Sequence, residues 1–221
     1  VPTIQGMLEL ALFRLTGRQI RVVGAGRTDA GVHASGQVIS FRAPWRHALT
    51  DLHRAMNAML PKDIALLDLA EAPAGFHARF SAKGRRYRYT VIHRPVRSPL
   101  LSRYAAHSVR PLDLEAMNQA ARYVVGRHDF AAFGKATEGG NTVREVRWAR
   151  WVEMSGSVYW FEVEANAFLR MMVRTLVSAM LEVGQGQQPP RWCAEILASR
   201  ERGKAMPPAP ACGLCLTEVL Y

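Results

Sequence analysis

The sequence is poor in cysteine and lacks the pattern of a metal-binding domain. Only three cysteines occur among 221 residues, and such a small, odd number suits a reducing compartment rather than a disulfide framework. Cys212 and Cys215 form a C-x-x-C pair, but no histidine lies near them in sequence. Because a structural zinc site needs four protein ligands, we predict reduced thiols and no bound metal.

Long apolar runs are also missing. The longest apolar stretch, 168–183, is interrupted by Arg170 and Arg174, so no segment is predicted to span a membrane. No charged stretch followed by an apolar segment opens the chain, so no secretory signal is predicted. Hydrophobic residues make up 49% and charged residues 21% of the chain, which is typical of a folded protein. We expect a cytoplasmic protein without a membrane partner.

Acidic residues are absent from positions 72–112, a window that holds nine basic residues. The net charge of +11 belongs to residues 1–110, because the remaining residues contain 12 bases and 12 acids. A segregated positive field favours a polyanionic partner, since each neutralised phosphate releases counterions. Compositional bias explains the 25 arginines against four lysines, but not the loss of acids from one window. We therefore predict a nucleic-acid partner.

Hydrophobic periodicity predicts an α+β fold of two similar halves. Each half is expected to form a mainly antiparallel sheet with helices on one face, with an active-site cleft between the halves. We place the halves at residues 1–78 and 79–221. Helices are predicted between a Thr3 cap and Gly17, and at 50–59, 113–125, 167–183 and 191–198. Strands are predicted at 19–23, 37–42, 64–69, 85–93, 144–152, 158–164 and 213–221.

Residues 24–36 form a loop with four glycines. A dinucleotide-binding G-x-G-x-x-G fingerprint is excluded because Asp29 occupies the third glycine position and a strand, not a helix, follows. The remaining functional pair is Arg27 and Asp29. A carboxylate beside a guanidinium stays ionised, which suits a nucleophile or a general base. The alternative is an aspartate that shapes the loop with Arg27 as its salt-bridge partner, and the loop alone favours neither.

Residues 76–89 interleave cations with aromatic residues. On a strand, Tyr87 and Tyr89 share one face, and Arg86 and Arg88 share the other. Aromatic rings can stack on unpaired bases while guanidiniums hold phosphates, which predicts RNA binding. The alternative places the tyrosines in the core and the arginines in solvent. The candidate RNA-binding residues of this segment are Arg79, Arg85, Arg86 and Arg88.

Two arginines lie in the predicted helix 167–183. Arg170 and Arg174 are four residues apart and would share one helix face. An arginine near the start of a mostly buried helix needs an anionic partner, for which Asp29 or a phosphate would serve. Solvent exposure is the alternative for one of the two. Arg170 is a candidate RNA-binding residue, and Asp29 or a phosphate is the candidate anionic partner of either arginine.

Four runs together resemble the tRNA pseudouridine synthase A family, in the order and spacing of that family and over nearly the whole chain. They are Gly-Arg-Thr-Asp-Ala-Gly-Val-His-Ala at 26–34, Phe-His-Ala-Arg-Phe-Ser-Ala at 76–82 with Arg-Tyr-Arg-Tyr at 86–89, Phe-Leu-Arg-Met-Met-Val-Arg at 168–174, and the run 213–221. The resemblance implies a cofactor-free homodimer that isomerises uridines 38, 39 and 40 in the anticodon stem-loop of tRNA.

The same resemblance implies roles for individual residues. Asp29 is similar to the catalytic aspartate, Arg27 to the arginine that helps extrude the target base, Tyr87 to the tyrosine that stacks on it, and Arg174 to the arginine paired with the aspartate. The glycosidic bond is broken, the base rotates and C5 joins the sugar. Asp29 either adds to the base or sugar or removes a sugar proton, and the sequence leaves these routes open.

Members of the family usually begin with a strand that carries a Tyr-Asp-Gly-like segment. That strand is missing before Pro2, so we expect a sequence that starts after it. An alternative function is a non-catalytic RNA-binding or RNA-chaperone protein, which would use the same basic and aromatic residues without depending on Asp29. A metal nuclease is disfavoured because paired carboxylates are lacking near the glycine-rich loop.

Overall fold

The computed structural model describes residues 3–136 and 139–221 and divides the chain into two compact units. The smaller unit comprises Val1–Arg27 and Val38–Ala82, and the larger comprises Thr28–Gln37 and Lys83–Tyr221. The turn that carries Asp29 therefore belongs, by its contacts, to the larger unit. The division of the sequence after residue 78 stays a prediction.

The smaller unit contains helices α1 (Ile4–Thr16) and α2 (Leu49–Met59). The hydroxyl of Thr3 accepts a hydrogen bond from the Gly6 N–H at 3.0 Å, and Gly17 ends α1 in the left-handed conformation, φ 69°, as predicted. Strands β1 (Val23–Gly24) and β3 (Ile39–Ser40) pair antiparallel and are shorter than the predicted strands 19–23 and 37–42. Apolar residues of both helices form the core with the chain after α1, including Leu8, Leu12, Ile20, Val22, Leu52 and Met56.

In the described part of the chain, the larger unit contains one seven-stranded sheet. Its strands are β2 (His33–Ala34), β4 (Gly84–His93), β5 (Ala106–Ser108), β6 (Gly126–Asp129), β7 (Val143–Met154), β8 (Val158–Ala165) and β9 (Leu214–Leu220). The helices of this unit are α3 (Leu114–Arg122), α4 (Met172–Gly184) and α5 (Trp192–Ser199).

Strand β4 has partners on both sides. It pairs antiparallel with β8 and with β9, and its last residues pair parallel with β5. The strand order is β2-β9-β4-β8-β7-β6, and β2 runs parallel to β9. Because most pairings are antiparallel, the prediction of an α+β fold with a mainly antiparallel sheet is confirmed.

The two faces of this sheet have different chemistry. One face is apolar and packs with α3, α4 and α5 into the core; Tyr89, Phe161 and Val163 are 0% exposed there. The other face carries Arg86 and Arg88 together with glutamates of β8. The alternation of Tyr and Arg along β4 therefore separates an apolar face from an ionic one.

Three further predicted elements differ from the structure. Residues 64–69 form no strand, because the Asn57 side chain binds the Leu66 N–H and C=O groups at 2.8 and 2.9 Å. The predicted helix 113–125 ends at Arg122, and Gly126, with φ 108°, begins β6. The predicted helix 167–183 begins only at Met172, since Met171 has φ 66°.

Candidate active site

The Asp29 side chain projects from a tight turn. The Asp29 carbonyl accepts a hydrogen bond from the Val32 N–H at 3.1 Å, and Gly31, the third residue of the turn, has φ 80°. A positive φ at this position favours glycine. After the turn, β2 pairs with β9, and the N–H groups of Ser35 and Gly36 both donate to the Leu216 carbonyl. The turn is thereby held on the sheet beside β9.

Arg174 holds the Asp29 carboxylate. Its Nη1 donates to Asp29 Oδ2 at 3.1 Å, and its Nε donates to the Ala209 carbonyl at 2.7 Å. The side chain of Arg174 is 15% exposed and that of Asp29 is 25% exposed. The charge of this mostly buried guanidinium is therefore matched by the aspartate, which is the pairing that the sequence analysis considered for Arg174.

Arg170 contacts the same carboxylate in a different way. Its Nε lies 3.7 Å from Asp29 Oδ1, and its side chain is 62% exposed. Arg170 is not in the helix but pairs through its backbone with Lys135. The left-handed Met171 separates Arg170 from α4. The two arginines thus approach Asp29 from an irregular segment and from a helix, not from one helix face.

Tyr87 lies near the charge of Asp29. Its partly buried ring meets Phe168 edge-on, with centroids 5.1 Å apart. Burial raises the pKa of Tyr87 to about 12, and the negative charge of Asp29 adds to this rise while Arg85 opposes it. The phenol is therefore neutral at physiological pH, and the Asp29 charge acts on an uncharged ring.

Arg85 and Arg86 are neighbours in sequence but have different surroundings. The Arg85 Nη1 donates to the Asn166 carbonyl at 3.1 Å, and its charge acts on Tyr87. Arg86 forms ion pairs with Glu164, at 2.5 Å, and with Glu218. Only Arg85 of this pair therefore belongs to the surroundings of Tyr87.

Arg88 lies on the ionic face with Arg86. It pairs with Glu162 at 3.0 Å and lies over the Trp160 ring, with its guanidinium carbon 3.9 Å from the ring centroid. Burial disfavours the charged form of Glu162, but hydrogen bonds from Arg150 and Arg88 outweigh burial and lower its pKa. The positive charge of Arg88 is thus compensated within the protein.

Arg27 and Arg79 belong to the smaller unit. Arg27 is exposed. Arg79 is half-buried, and its guanidinium carbon lies 5.6 Å from the centroid of the Phe80 ring. The exposed Phe80 ring in turn stacks on His77 at 4.3 Å. Of the segment 76–89, only residues 76–82 belong to the smaller unit, and there Arg79, Phe80 and His77 contact one another.

Two groups that contact the candidate site residues Tyr87 and Arg174 were not predicted as site residues from the sequence. Phe168, whose ring meets Tyr87, begins the run 168–174 that also contains Arg170. An aromatic residue two positions before a candidate arginine could have been predicted as a site residue from the sequence. The Ala209 carbonyl, which accepts from Arg174, lies in a Pro/Ala stretch and acts through its backbone. An interaction of a backbone carbonyl cannot be predicted from the type of residue that carries it.

The described residues, 3–136 and 139–221, contain no group of three or more His, Cys, Asp or Glu side chains that could hold a metal ion. The three cysteines are free thiols, with Cys193 buried and Cys212 and Cys215 half-buried. Across the same residues, no helix is both long enough and apolar enough to cross a membrane.

Known proteins similar to this chain match it over nearly its full length. A family model described as tRNA pseudouridine synthase matches residues 1–81 and 120–221. The tRNA pseudouridine synthase A of Myxococcus xanthus is 46% identical over 221 residues, which cover 100% of this chain and 83% of the relative. The enzyme of the same name from Brevibacillus brevis is 44% identical over 220 residues, 99% of this chain and 90% of the relative. That of Moorella thermoacetica is 46% identical over 224 residues, 100% of this chain and 89% of the relative.

Proposed function

The chain belongs to the tRNA pseudouridine synthase family, and from that premise we propose that it isomerises uridines 38, 39 and 40 in the anticodon arm of tRNA. The resemblance predicted from four sequence runs is thereby confirmed at the level of the family. The proposal includes a cytoplasmic, cofactor-free homodimer, whose assembly is tested by measuring whether the purified protein has twice the mass of one chain in solution.

The observation that supports this activity best is the arrangement around Asp29. Its carboxylate is bound by Arg174 and approached by Arg170, and Tyr87 lies within reach of its charge. Isomerisation breaks the bond between N1 of uracil and C1′ of ribose and forms a bond between C5 and C1′. N1 gains a proton and C5 loses one, so no atom or electron is supplied from outside. A positioned carboxylate with electrostatic support meets these needs.

Each candidate residue has a part in this reaction. Asp29 is the catalytic group, and Arg174 orients its carboxylate. Tyr87 stacks on the target uracil after the base has left its own stack, a step that costs a few kcal/mol. Arg27 helps to extrude the base.

The remaining candidate arginines bind the RNA backbone to different extents. Arg79, Arg85 and Arg170 are proposed to bind phosphates. Arg86 and Arg88 would first have to leave their glutamate partners. The contacts of Arg86 with Glu164 and of Arg88 with Glu162, at 2.5 and 3.0 Å, are closer than the 3.7 Å contact of the exposed Arg170 with Asp29. We therefore expect Arg86 and Arg88 to contribute less to RNA binding.

The function is tested by incubating the protein with unmodified tRNA and mapping pseudouridine by position. We expect product at positions 38, 39 and 40 with the native protein. Asp29→Asn keeps the shape of the side chain but removes its charge, and it should reduce the rate about a thousandfold or more while tRNA still binds. Glu115→Gln, a change at an exposed acid of α3, is the matched control and should leave the rate unchanged.

Two results would contradict the proposal. Undiminished product with Asp29→Asn would remove Asp29 from the chemistry. Salt-sensitive tRNA binding by the native protein with no pseudouridine would favour the non-catalytic RNA-binding alternative.

A further inference from the structure

The chain makes a long irregular connection directly after β4. β4 ends at His93, and its parallel partner β5 begins at Ala106. Parallel neighbouring strands are usually joined through a helix, but the 12 residues between these two strands contain none. Irregular connections of this length are uncommon in compact proteins and usually carry function. Residues 94–104 of this connection are called the arginine loop below.

The arginine loop has an uncompensated positive charge. Arg94, Arg97 and Arg103 are all exposed, and the sequence from 72 to 112 contains no acidic residue. Within residues 3–136 and 139–221, none of these three arginines forms a salt bridge. They therefore differ from Arg86 and Arg88, whose charges are matched by glutamates.

The same loop exposes apolar and aromatic side chains in a defined conformation. Leu100 is 86% and Tyr104 is 60% exposed. The Ser98 carbonyl accepts from the N–H groups of Leu101 and Ser102 at 3.2 and 3.0 Å, and the Leu101 carbonyl accepts from the Tyr104 N–H at 2.9 Å. The Ser102 hydroxyl donates to the Pro99 carbonyl at 2.8 Å. Consecutive turns thus hold these side chains towards solvent.

His33 connects the arginine loop to the strand that follows the Asp29 turn. Its Nε2 lies 2.7 Å from the Arg103 carbonyl, and because a carbonyl oxygen only accepts, His33 is the donor. The His33 ring also lies 5.0 Å from the Tyr104 ring, centroid to centroid. His33 follows Asp29 by four residues and lies in β2. One side chain therefore docks the loop beside the turn that bears the catalytic carboxylate.

We propose that the arginine loop is a second RNA-binding element, held next to the Asp29 turn by His33. Tyr104 stacks on an unpaired base of the substrate, and Arg97 and Arg103 bind neighbouring phosphates. An exposed ring flanked by unpaired guanidiniums is the arrangement with which proteins bind unpaired RNA. His33 is a positioning residue that acts through Arg103 and Tyr104. This inference rests on the proposed function, since the RNA is the tRNA substrate.

The test compares equilibrium binding of unmodified tRNA, at several salt concentrations, between loop variants and a control. The double variant Arg97→Ala/Arg103→Ala should weaken binding about tenfold or more and reduce the salt slope by about 0.7–0.9 for each phosphate that is no longer bound. The control is Arg122→Ala/Arg127→Ala, which removes two exposed arginines of α3 and β6 that lie outside the acid-free window. The control should retain the binding constant and slope of the native protein.

The stacking role is tested with conservative and disruptive changes at one position. Tyr104→Ala should raise KM for tRNA about 5- to 100-fold, because the variant has no ring on which the base can stack, and leave kcat nearly unchanged. Tyr104→Phe keeps the ring and should restore the native KM. His33→Ala should shift KM in the same direction as Tyr104→Ala, since it releases the loop. Thermal unfolding of each variant shows whether the fold is intact.

The outcomes separate this proposal from the function it rests on. If the native protein forms pseudouridine and the loop variants bind tRNA as tightly as the control, the loop has no RNA-binding role and the enzymatic function stands. If the loop variants lose tRNA affinity but the native protein forms no pseudouridine, the binding role stands and the enzymatic function falls. Native binding to anionic phospholipid vesicles that the loop variants lose, with tRNA affinity unchanged, would assign the loop to a membrane surface and overturn the proposal.

Discussion

Arg174 binds Asp29 and Ala209 at the same time, through Nη1 at 3.1 Å and Nε at 2.7 Å respectively. The Ala209 N–H donates in return to the Arg174 carbonyl at 3.1 Å. Ala209 therefore binds both the backbone and the guanidinium of Arg174, and this orients the guanidinium towards Asp29. The two hydrogen bonds leave from different nitrogen atoms of one planar group, whereas a lysine ammonium carries all of its donors on a single nitrogen.

The first prediction concerns this pair of hydrogen bonds. Arg174→Lys keeps the positive charge but loses the separate Nε and Nη1 donors that bind Ala209 and Asp29. The carboxylate is then less well positioned, so we expect kcat to fall about 10- to 100-fold. The free energy of unfolding should fall by about 1–3 kcal/mol, because a mostly buried charged hydrogen bond is removed. Rates at saturating tRNA and urea unfolding measure the two effects.

Arg170→Ala is the comparison for Arg174→Lys. The Arg170 side chain is 62% exposed and its Nε lies 3.7 Å from Asp29 Oδ1, so solvent screens that pair. Its removal should change the unfolding free energy by less than about 1 kcal/mol. Equal decreases of stability in the two variants would mean that the hydrogen bond to Ala209 does not position Arg174.

A second prediction concerns Gly36, which lies against β9 without room for a side chain. A Cβ at this position would lie 2.1 Å from the Thr217 carbonyl oxygen. Gly36→Ala should therefore push β2 from β9, lower the unfolding free energy by about 1–3 kcal/mol and reduce activity by displacing the Asp29 turn. At Gly26, a Cβ would meet no atom within 4 Å, so Gly26→Ala should keep the native stability. Urea unfolding of both variants checks this, and equal stabilities would contradict it.

Residues close together in sequence were the easiest to predict. The alternation of Tyr and Arg along β4 follows from the period of a strand, and it correctly separated Tyr89 from Arg86. The principle that a buried arginine needs an anion offered Asp29 or a phosphate as the partner of Arg170 or Arg174. The family resemblance implied Arg174, and in the structure Arg174 donates to Asp29. The first inference depends on the alternation of side chains along a strand and the second on charge, and both features are visible in the sequence.

Interactions between distant residues could not be predicted in the same way. Arg86 and Glu164 are 78 positions apart, and only the register of β4 with β8 brings them together. The start of α4 was misplaced because Met171 adopts φ 66°, a conformation that methionine does not signal, whereas glycine would. β5 has three residues and is defined by its pairing with β4 rather than by its own composition.

A third prediction concerns alkaline pH. Burial raises the pKa of Cys193 from 9.0 to about 12, and burial raises the pKa of Tyr87 from 10.0 to about 12. In the unfolded chain these groups lose their protons at lower pH than in the folded protein. Their contribution to stability is therefore complete below pH 9 and is lost as the pH rises towards 12.

We expect the unfolding free energy to fall above pH 9, by up to about 1.4 kcal/mol per pH unit for each group that titrates in this way. Tyr87→Phe should reduce the slope between pH 10 and 12, and Cys193→Ala should reduce it from pH 9 upwards. Urea unfolding at a series of pH values measures the slopes. Slopes identical to that of the native protein would show that these groups titrate alike in both states.

The last prediction uses the neighbours Arg85 and Arg86, which are matched in residue type and in sequence position. The charge of Arg85 acts on Tyr87, whereas Arg86 pairs with Glu164 and Glu218 on the opposite face. Arg85→Ala should therefore weaken tRNA binding and lower its salt slope by about 0.7–0.9. Arg86→Ala should leave tRNA binding nearly unchanged but lower the free energy of unfolding. Glu164 is only 5% exposed and would lose one of its two salt-bridge partners, with Arg147 remaining. The opposite result, a larger decrease of tRNA affinity for Arg86→Ala than for Arg85→Ala, would place the RNA on the ionic face of the sheet. It would contradict the proposal that the RNA binds near Tyr87.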